Sequence, residues 1–241
     1  MASRALSRYA HLLTVELIAG LVVLTASAWV FGWMAEELVE GDTHLDTRLA
    51  TWLHERATPG WTEFFETVTT LGNVPVLINV ALVAALVLAW RRELDELRLL
   101  LLAVIGAEVL TVGLKLGFQR ERPFFADPLA TESSYSFPSG HASVSLALYG
   151  TLALILVRHA RALAVRISIL AAAAILTGLI GFSRLYLGVH FLSDVIAGFS
   201  LAIAWITLCM LLLHLRVRLK QGPQQAVQTS RYRASTKQYS P

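Results

Sequence analysis

Residues 115–141 read KLGFQRERPFFADPLATESSYSFPSGH and interrupt an otherwise apolar chain. The stretch combines basic side chains, a Pro-Ser-Gly turn and a histidine: Lys115, Arg120, Arg122 and His141. Charged and turn-forming residues between two long apolar segments are costly, because burying an unpaired charge is unfavourable. The stretch therefore predicts a binding site for a phosphate group at the edge of a membrane-embedded helical bundle.

The composition of the whole chain favours a membrane protein over a soluble one. Of the 241 residues, 56% are hydrophobic and 15% are charged, whereas soluble domains average about 25% charged residues. The net charge is +3, but the basic residues lie in short gaps between apolar runs rather than on one basic face. That distribution is typical of membrane proteins and argues against a nucleic-acid partner.

Six apolar runs are long enough to cross a bilayer, which takes about 20 residues as a helix. They cover residues 11–34, 64–90, 97–118, 141–157, 165–182 and 191–215. Gly72, Asn73 and Pro75 predict a break or kink in the second run. We predict an all-α, polytopic membrane protein with a six-helix transmembrane bundle. Residues 1–215 would form a single transmembrane domain, and residues 216–241 a basic, disordered C-terminal tail.

A short amphipathic segment follows the first run. Residues 44–57 read HLDTRLATWLHERA, in which Leu45, Leu49, Trp52 and Leu53 share one helical face. The segment is too short and too charged to span a bilayer. It predicts an interfacial helix lying on the membrane, with a packed loop helix as the alternative.

The placement of Lys and Arg predicts the orientation in the membrane. Most of the 20 basic residues precede the first run, follow the sixth, or lie between runs two and three and runs four and five. Because Lys and Arg are enriched on the cytoplasmic side, both termini are predicted to be cytoplasmic. Residues 115–141 and 184–190 would then lie together on the outer face.

Lys115 and Arg122 are suited to holding a phosphate group. Lysine supplies a point charge, and arginine supplies a planar fork that matches phosphate oxygens. Pro123 disfavours a helical conformation at Arg122, so the chain is expected to leave its helix and fold the guanidinium back. The alternative is that both cations snorkel at the end of a span.

The turn at residues 138–141 reads PSGH. Ser139 is a favourable helix N-cap, and Gly140 lets the backbone approach a ligand closely. The free N–H groups of the next turn would attract an anion, with His141 at the mouth of the site, where it could transfer a proton. An ordinary capped turn with an interfacial histidine is the alternative.

Residues 183–194 read SRLYLGVHFLSD and contain a histidine–carboxylate pair. His190 and Asp194 are four positions apart and would share one helical face. A carboxylate that accepts the proton of one ring nitrogen leaves the other nitrogen free as a nucleophile. Asp194 at the start of an apolar run is costly without a partner, which favours a functional role. Metal ligation by the pair is the alternative.

In chain order, the three segments give K-x6-RP at residues 115–123, PSGH at 138–141 and SR-x5-H-x3-D at 183–194. The pattern resembles the type 2 phosphatidic acid phosphatase superfamily of integral membrane lipid phosphatases, with every motif position filled. The resemblance extends to ESSYSFPSGH and GFSRLYLGVHFLSDVIAGF, and more loosely to the six-span layout. It does not cover the first run, the helix at 44–57 or the tail.

The resemblance implies a role for each matched residue. His190 would attack phosphorus and form a phosphohistidine, and Asp194 would orient it. His141 would protonate the leaving alkoxide and then activate water. The phosphate would be held by Lys115, Arg122, Ser139, Gly140 and Arg184. No metal or other cofactor is implied, and a neutral His190 with a protonated His141 implies that activity falls in both acid and base.

The implied substrate is a membrane lipid phosphate or diphosphate, such as phosphatidylglycerol phosphate, phosphatidic acid or undecaprenyl diphosphate. The implied location is the cell (inner) membrane, with the active site on the outer or periplasmic face. Two other functions use the same residues. One is a lipid phosphotransferase with the same intermediate, and the other is a non-enzymatic anion transporter or binding protein.

Two polar positions lie outside the motifs. Glu108 precedes Lys115 by seven residues on a similar helical face. It would either pair with a polar group in the bundle or contribute to substrate choice. Arg120 is expected to shape the outer rim of the site or to be solvated.

Overall fold

The computed structural model describes residues 2–41 and 43–237, and side chains are described for residues 15–41 and 43–216. Its elements are helical, which confirms the all-α prediction. They are α1 Ala2–Glu40, α2 His44–His54, α3 Pro59–Thr70, α4 Val74–Trp90, α5 Leu94–Phe118, α6 Gly140–Ser145, α7 Thr151–His159, α8 Leu163–Tyr186 and α9 Leu192–Lys237. A π-helical turn, Leu146–Gly150, joins α6 to α7.

Five helical segments are long and apolar enough to cross a membrane. They are Val15–Glu40, Leu94–Phe118, Gly140–His159, Leu163–Tyr186 and Leu192–Arg216. Helices α3 and α4 meet at an angle of 41° and give a sixth span if they are counted as one. With this pair counted as one span, the described residues contain the six spans that the sequence predicted. The first helix continues beyond the predicted end at residue 34, and the acidic segment that follows is helical as far as Glu40.

The predicted break in the second span lies between α3 and α4. Asn73 has an extended backbone and stands at the N-cap of α4, and Pro75 lies in the first turn of that helix. Proline is tolerated there because the first N–H groups of a helix have no intrahelical partner. The break is important for the site because it brings Asn73 to His141, as described below.

The segment after the first span forms helix α2, which confirms that it is helical. Asp46, Ala50 and Leu53 are its buried residues, whereas Leu45 and Trp52 are exposed. Leu53 packs against Leu185 and Val195, near the ends of α8 and α9 that face the site. Part of the predicted apolar face, Leu49 and Leu53, thus packs against the bundle, whereas Leu45 and Trp52 are exposed. A position on the membrane surface stays a prediction.

The last helix continues beyond the predicted end of the transmembrane domain. The backbone of α9 is helical as far as Lys237, and the side chains beyond Arg216 lie outside the described residues. The prediction of a separate, disordered tail over residues 216–241 therefore stays a prediction. Residues 11–14, at the start of the first predicted run, also lie outside the described side chains.

Helices α5 and α9 pack closely where Trp205 crosses Gly106. The indole Nε1 of Trp205 donates a hydrogen bond to the carbonyl oxygen of Leu102 over 2.8 Å. A Cβ atom at Gly106 would lie 2.3 Å from the indole ring, which is closer than van der Waals contact allows. Gly113, in the same helix, has open space at the equivalent position.

We therefore expect Gly106→Ala to destabilise the bundle by roughly 1–3 kcal/mol, the usual cost of overpacking. Trp205 must shift, and its hydrogen bond to Leu102 is weakened when it does. Thermal unfolding of the purified proteins in detergent measures the effect, with Gly113→Ala as the matched control in the same helix. Equal unfolding temperatures for the two variants would contradict the tight crossing.

Candidate active site

The ends of four helices meet on one side of the bundle: the C-termini of α5 and α8, and the N-termini of α6 and α9. The backbone N–H of Ser139 donates to the carbonyl oxygen of Asp194 over 3.0 Å. Thr111 on α5 and Ser143 on α6 share a hydrogen bond of 2.7 Å. The structure therefore brings together the two loops that the sequence predicted to lie on a common face.

His190 lies in the turn between α8 and α9 and is almost fully buried, with 2% of its surface exposed. Its Nδ1 is 3.3 Å from Oδ2 of Asp194, as the i, i+4 spacing predicted, although α9 begins only at Leu192. The same carboxylate oxygen accepts the backbone N–H of Phe191 over 2.8 Å and the hydroxyl of Ser136. Several donors therefore hold Asp194 beneath the imidazole.

The contact with Arg122 assigns the tautomer of His190. Nη1 of Arg122 lies 3.1 Å from Nε2 of the imidazole. Because a guanidinium can only donate, Nε2 must be the acceptor and therefore carries no proton. Nδ1 then bears the hydrogen and donates it to Asp194. Desolvation by burial lowers the pKa of His190 to about 3, against the raising influence of Asp194, so the ring is neutral at ordinary pH.

Arg122 folds back over the site, as the Pro123 argument predicted. Helix α5 ends at Phe118, and Gln119 adopts the left-handed conformation with φ of 49°. The Nε of Arg122 donates to the carbonyl oxygen of Ser134 over 2.7 Å, and Nη1 donates to that of Val189 over 2.5 Å. Burial lowers the pKa of Arg122, but arginine remains a cation at physiological pH.

Lys115 reaches the same loop from the last turn of α5. Its Nζ donates to Oγ of Ser134 over 3.2 Å and to the carbonyl oxygen of Tyr135. Lys115 and Arg122 thus share one segment of backbone and both line the cavity described below. Both side chains therefore point into the site, and the alternative that they snorkel to the membrane surface does not hold.

The turn before α6 has the conformation that its sequence predicted. Ser139 is the N-cap residue with an extended backbone, but its side chain makes no capping hydrogen bond. Its hydroxyl oxygen is buried and has no hydrogen-bond partner among the described residues. Since buried polar atoms are usually satisfied, an unpartnered hydroxyl beside a cationic site is available to a ligand.

His141 is held by the break between α3 and α4. Its Nε2 lies 2.8 Å from Oδ1 of Asn73. A Cβ atom at Gly72 would lie 2.8 Å from Cδ2 of the same imidazole, so the chain passes close beneath the ring. Asn73 and Gly72 together fix where the imidazole points.

Arg184, near the end of α8, is the third cation of the site and is 3% exposed. Its Nη1 donates to Oγ1 of Thr69 over 2.8 Å, and its Nη2 forms an ion pair with Glu132. Its Nε is buried and has no hydrogen-bond partner in the part of the chain that the structure describes. The Nε donor of Arg184 is therefore not used by its contacts among the described residues.

These side chains surround a cavity of about 240 Å³. Its charged and imidazole lining comprises Glu108, Lys115, Arg122, Glu132, His141 and His190, and Gly140 contributes backbone. Asp194 lies behind His190, Ser139 lies next to Gly140, and Arg184 is joined to the lining through Glu132. All the predicted site residues therefore lie in or immediately around one cavity.

An apolar groove of about 310 Å³ adjoins this cavity between α4 and α5. The two spaces share Val74, Leu77, Glu108 and Val144. The remaining groove residues are aliphatic: Ile78, Ala81, Leu100, Leu101, Val104, Ile105 and Val109. Glu108 thus stands where a cationic cavity meets a surface suited to hydrocarbon, and of its two predicted roles this position favours substrate contact.

The sequence pattern of the PAP2 superfamily matches residues 96–218, about half of the chain. The chain belongs to the PAP2 superfamily. Phosphatidylglycerophosphatase B of Bacillus subtilis (strain 168) is 38% identical over 148 residues, which cover 60% of this chain and 71% of that protein. The family, with this relative, identifies the chain as a membrane phosphatase that hydrolyses a lipid phosphate.

Two solved structures have the same fold. The crystal structure of a transmembrane PAP2-type phosphatidylglycerolphosphate phosphatase from Bacillus subtilis matches with a TM-score of 0.70 and 30% identity, covering 78% of this chain and 94% of that one. The structure of Aquifex aeolicus LpxE matches with a TM-score of 0.56 and 28% identity, covering 69% and 94%.

The structure also places residues in this PAP2 site that the sequence reasoning missed. Arg120 was expected at the solvated rim, but it is buried and forms ion pairs with Asp46 and Asp194. The expectation was wrong because the left-handed turn at Gln119 directs the chain back into the protein. Asn73 and Glu132 were also not assigned to the site. The spacing of Asp46 could have indicated that it is buried, because it shares a helical face with the apolar residues Ala50 and Leu53.

Proposed function

We propose that this PAP2 phosphatase forms a phosphohistidine on His190 while hydrolysing a lipid phosphate or diphosphate. The observation that carries the proposal is the pair of contacts of His190: Nε2 lies beside the donor Arg122, and Nδ1 lies beside the carboxylate of Asp194. A neutral imidazole with one nitrogen bound to a carboxylate and the other free is arranged as a nucleophile.

The reaction would proceed in two displacements. Nε2 attacks phosphorus, the bond from phosphorus to the lipid oxygen breaks, and the leaving alkoxide takes a proton from His141. A water molecule then gives a proton to His141 and attacks phosphorus. The phosphorus–nitrogen bond breaks, free phosphate leaves, and His190 returns to its neutral form.

Charge on the phosphoryl oxygens would be stabilised by Lys115, Arg122 and Arg184. Two buried atoms without partners among the described residues, Oγ of Ser139 and Nε of Arg184, would complete the set of donors. Preorganised donors of this kind stabilise charge as it develops in the transition state. Because three side-chain cations surround the phosphate, we propose that the reaction needs no metal ion.

The groove between α4 and α5 supports a lipid substrate whose hydrocarbon remains in the membrane. Its aliphatic lining adjoins the phosphate cavity, and burying apolar surface favours binding of a hydrocarbon chain. The substrate class comprises phosphatidylglycerol phosphate, phosphatidic acid and undecaprenyl diphosphate. The name of the Bacillus subtilis relative favours the first of these.

A substrate panel tests this function. We expect the purified protein to release free phosphate from lipid monophosphates or diphosphates, with phosphatidylglycerol phosphate preferred, and to keep its rate in EDTA. Loss of activity in EDTA with recovery in Mg²⁺ would overturn the metal-free reaction. A phosphorylated acceptor that accumulates in place of free phosphate would identify a phosphotransferase.

We also propose that both termini are cytoplasmic and that the site opens on the outer or periplasmic face of the cell membrane. The bias of Lys and Arg supports this orientation, and six spans, with α3 and α4 counted as one, would put both termini on the same side. A reporter fused to the C-terminus would be active only on the cytoplasmic side.

A further inference from the structure

Arg120 joins two buried carboxylates behind the active site. Its Nη1 lies 2.6 Å from Oδ1 of Asp194, and its Nη2 lies 2.8 Å from Oδ2 of Asp46. Arg120 is 8% exposed, and both carboxylates are buried as well. Charges removed from water need close partners to offset their desolvation, and a guanidinium with two separate N–H edges can bind two carboxylates at once.

The two oxygens of Asp194 have different partners. Oδ2 accepts from Nδ1 of His190, the hydroxyl of Ser136 and the backbone N–H of Phe191. Oδ1 accepts from Arg120, its hydrogen-bond partner among the described residues. Arg120 therefore holds the carboxylate oxygen that does not contact the imidazole.

Asp46 holds Arg120 in place from helix α2. Its Oδ1 accepts the backbone N–H of Ser193 over 3.0 Å, and its Oδ2 accepts the hydroxyl of Ser193 as well as Nη2 of Arg120. Arg120 also donates to Oγ of Ser193 over 2.7 Å and lies 4.2 Å from the centre of the Phe191 ring. Helix α2 is thus bound to the chain immediately beside His190 and Asp194.

We propose that Arg120 is a positioning residue for the phosphatase reaction and that Asp46 is its counter-charge. Together they orient Asp194 so that Nδ1 of His190 keeps its proton and Nε2 faces the phosphate. Neither residue lines the cavity, so both act through Asp194 rather than on the substrate. The proposal rests on the nucleophilic role of His190 proposed above.

The electrostatic surroundings of Asp194 give the proposal a measurable consequence. Arg120 and His190 contact its carboxylate, Lys115 and Arg122 act on it from the cavity, and Asp46 stands behind Arg120. A cation in contact favours the ionised carboxylate. Removing the cation leaves Oδ1 of Asp194 without the donor that holds it, so the carboxylate can turn away from the imidazole and kcat falls.

The test compares Arg120→Gln, Arg120→Lys and Asp46→Asn with the wild type. We expect Arg120→Gln to lower kcat by about 10- to 100-fold, the usual effect of removing a group that orients a reactive side chain. We expect KM to change by less than about 3-fold, because Arg120 does not line the cavity. The kcat of Arg120→Lys should lie between those of the wild type and Arg120→Gln, because one ammonium group cannot bind both carboxylates as a guanidinium does.

Asp46→Asn keeps the size of the side chain, removes its charge and replaces one acceptor oxygen by an NH2 donor. We expect a smaller fall in kcat, with KM again unchanged, because Arg120 remains but is less firmly held. The matched control is Arg56→Gln, which removes an exposed arginine just beyond α2 and should retain wild-type kcat and pH profile. Phosphate release is measured on the purified full chain in detergent, with the rate normalised to folded monodisperse protein.

The outcomes separate this proposal from the proposed function. Unchanged kcat in both Arg120→Gln and Asp46→Asn, with His190→Ala inactive, would overturn the positioning role and leave the nucleophile in place. An active His190→Ala protein would instead overturn the proposed function. If Arg120→Gln does not fold, Arg120→Lys and Asp46→Asn decide: lower kcat with unchanged KM supports the proposal, and wild-type values overturn it.

Discussion

Phosphate release by His190→Ala is expected to fall by roughly four orders of magnitude or more, the scale of removing a covalent nucleophile. The wild-type Nε2 is unprotonated beside Arg122, and Nδ1 is bound to Asp194. Alanine removes the atom that forms the bond to phosphorus, whereas the cations that bind phosphate remain. Lipid binding should therefore persist in the variant, with KM or Kd close to the wild-type value.

Two measurements check this result. The first is steady-state phosphate release, with His44→Ala as the control, because His44 is an exposed histidine on α2 with no part in the cavity. The second is trapping of phosphorylated enzyme from labelled lipid. A phosphorus–nitrogen bond is labile in acid and stable in alkali, and the label should be absent from His190→Ala. A variant that keeps full activity, or a label of the opposite stability, would contradict the phosphohistidine.

The position of His190 also limits the acid side of the pH profile. A nucleophile must be neutral, and burial lowers the pKa of His190 to about 3. The reactive form is thus present above that pH and is lost only as the pH falls through about 3. A loss of activity at higher pH must come from another group, such as the substrate phosphate.

The sequence predicted which residues meet at the site better than it predicted the contacts that support them. Lys115, Arg122 and the histidines could be assigned because each stands at a fixed spacing within one short segment. The partners of these residues come from distant segments: Asn73 reaches His141 across 68 positions, and Asp46 reaches Arg120 across 74. A spacing argument cannot reach such pairs, because tertiary packing alone brings them together.

The fold was predictable to a similar extent. Apolar runs fixed the order of the spans, since each must cover the hydrocarbon core of the bilayer. The buried face of α2 was not predictable from periodicity, because an apolar stripe on a short helix can face lipid or protein. Leu45 and Trp52 are exposed, whereas the charged Asp46 is buried. The buried ion pair to Arg120 decides that orientation, and a hydrophobicity pattern does not include ion pairs.

We expect replacement of His141 to have an effect that depends on the leaving group. His141→Gln should lower kcat for a lipid phosphate by about 10²- to 10⁴-fold, the range in which general acid–base catalysis contributes. The alkoxide of a lipid is strongly basic and must be protonated as the bond to phosphorus breaks. A p-nitrophenyl phosphate substrate releases a weakly basic anion that needs no such proton, so its first step should be much less affected.

The comparison of the two substrates in His141→Gln therefore identifies the role of the imidazole. If formation of the phosphorylated enzyme is nearly normal with p-nitrophenyl phosphate and slow with the lipid, His141 is the general acid for the first step. Slow breakdown of the trapped intermediate would additionally show its role as the base that activates water. Asn73→Ala serves as the companion variant, because it removes the 2.8 Å contact that orients the ring. It should also slow the lipid more than p-nitrophenyl phosphate, but by a smaller factor than His141→Gln. Equal losses with both substrates would instead mean that His141 binds the phosphate rather than transferring a proton.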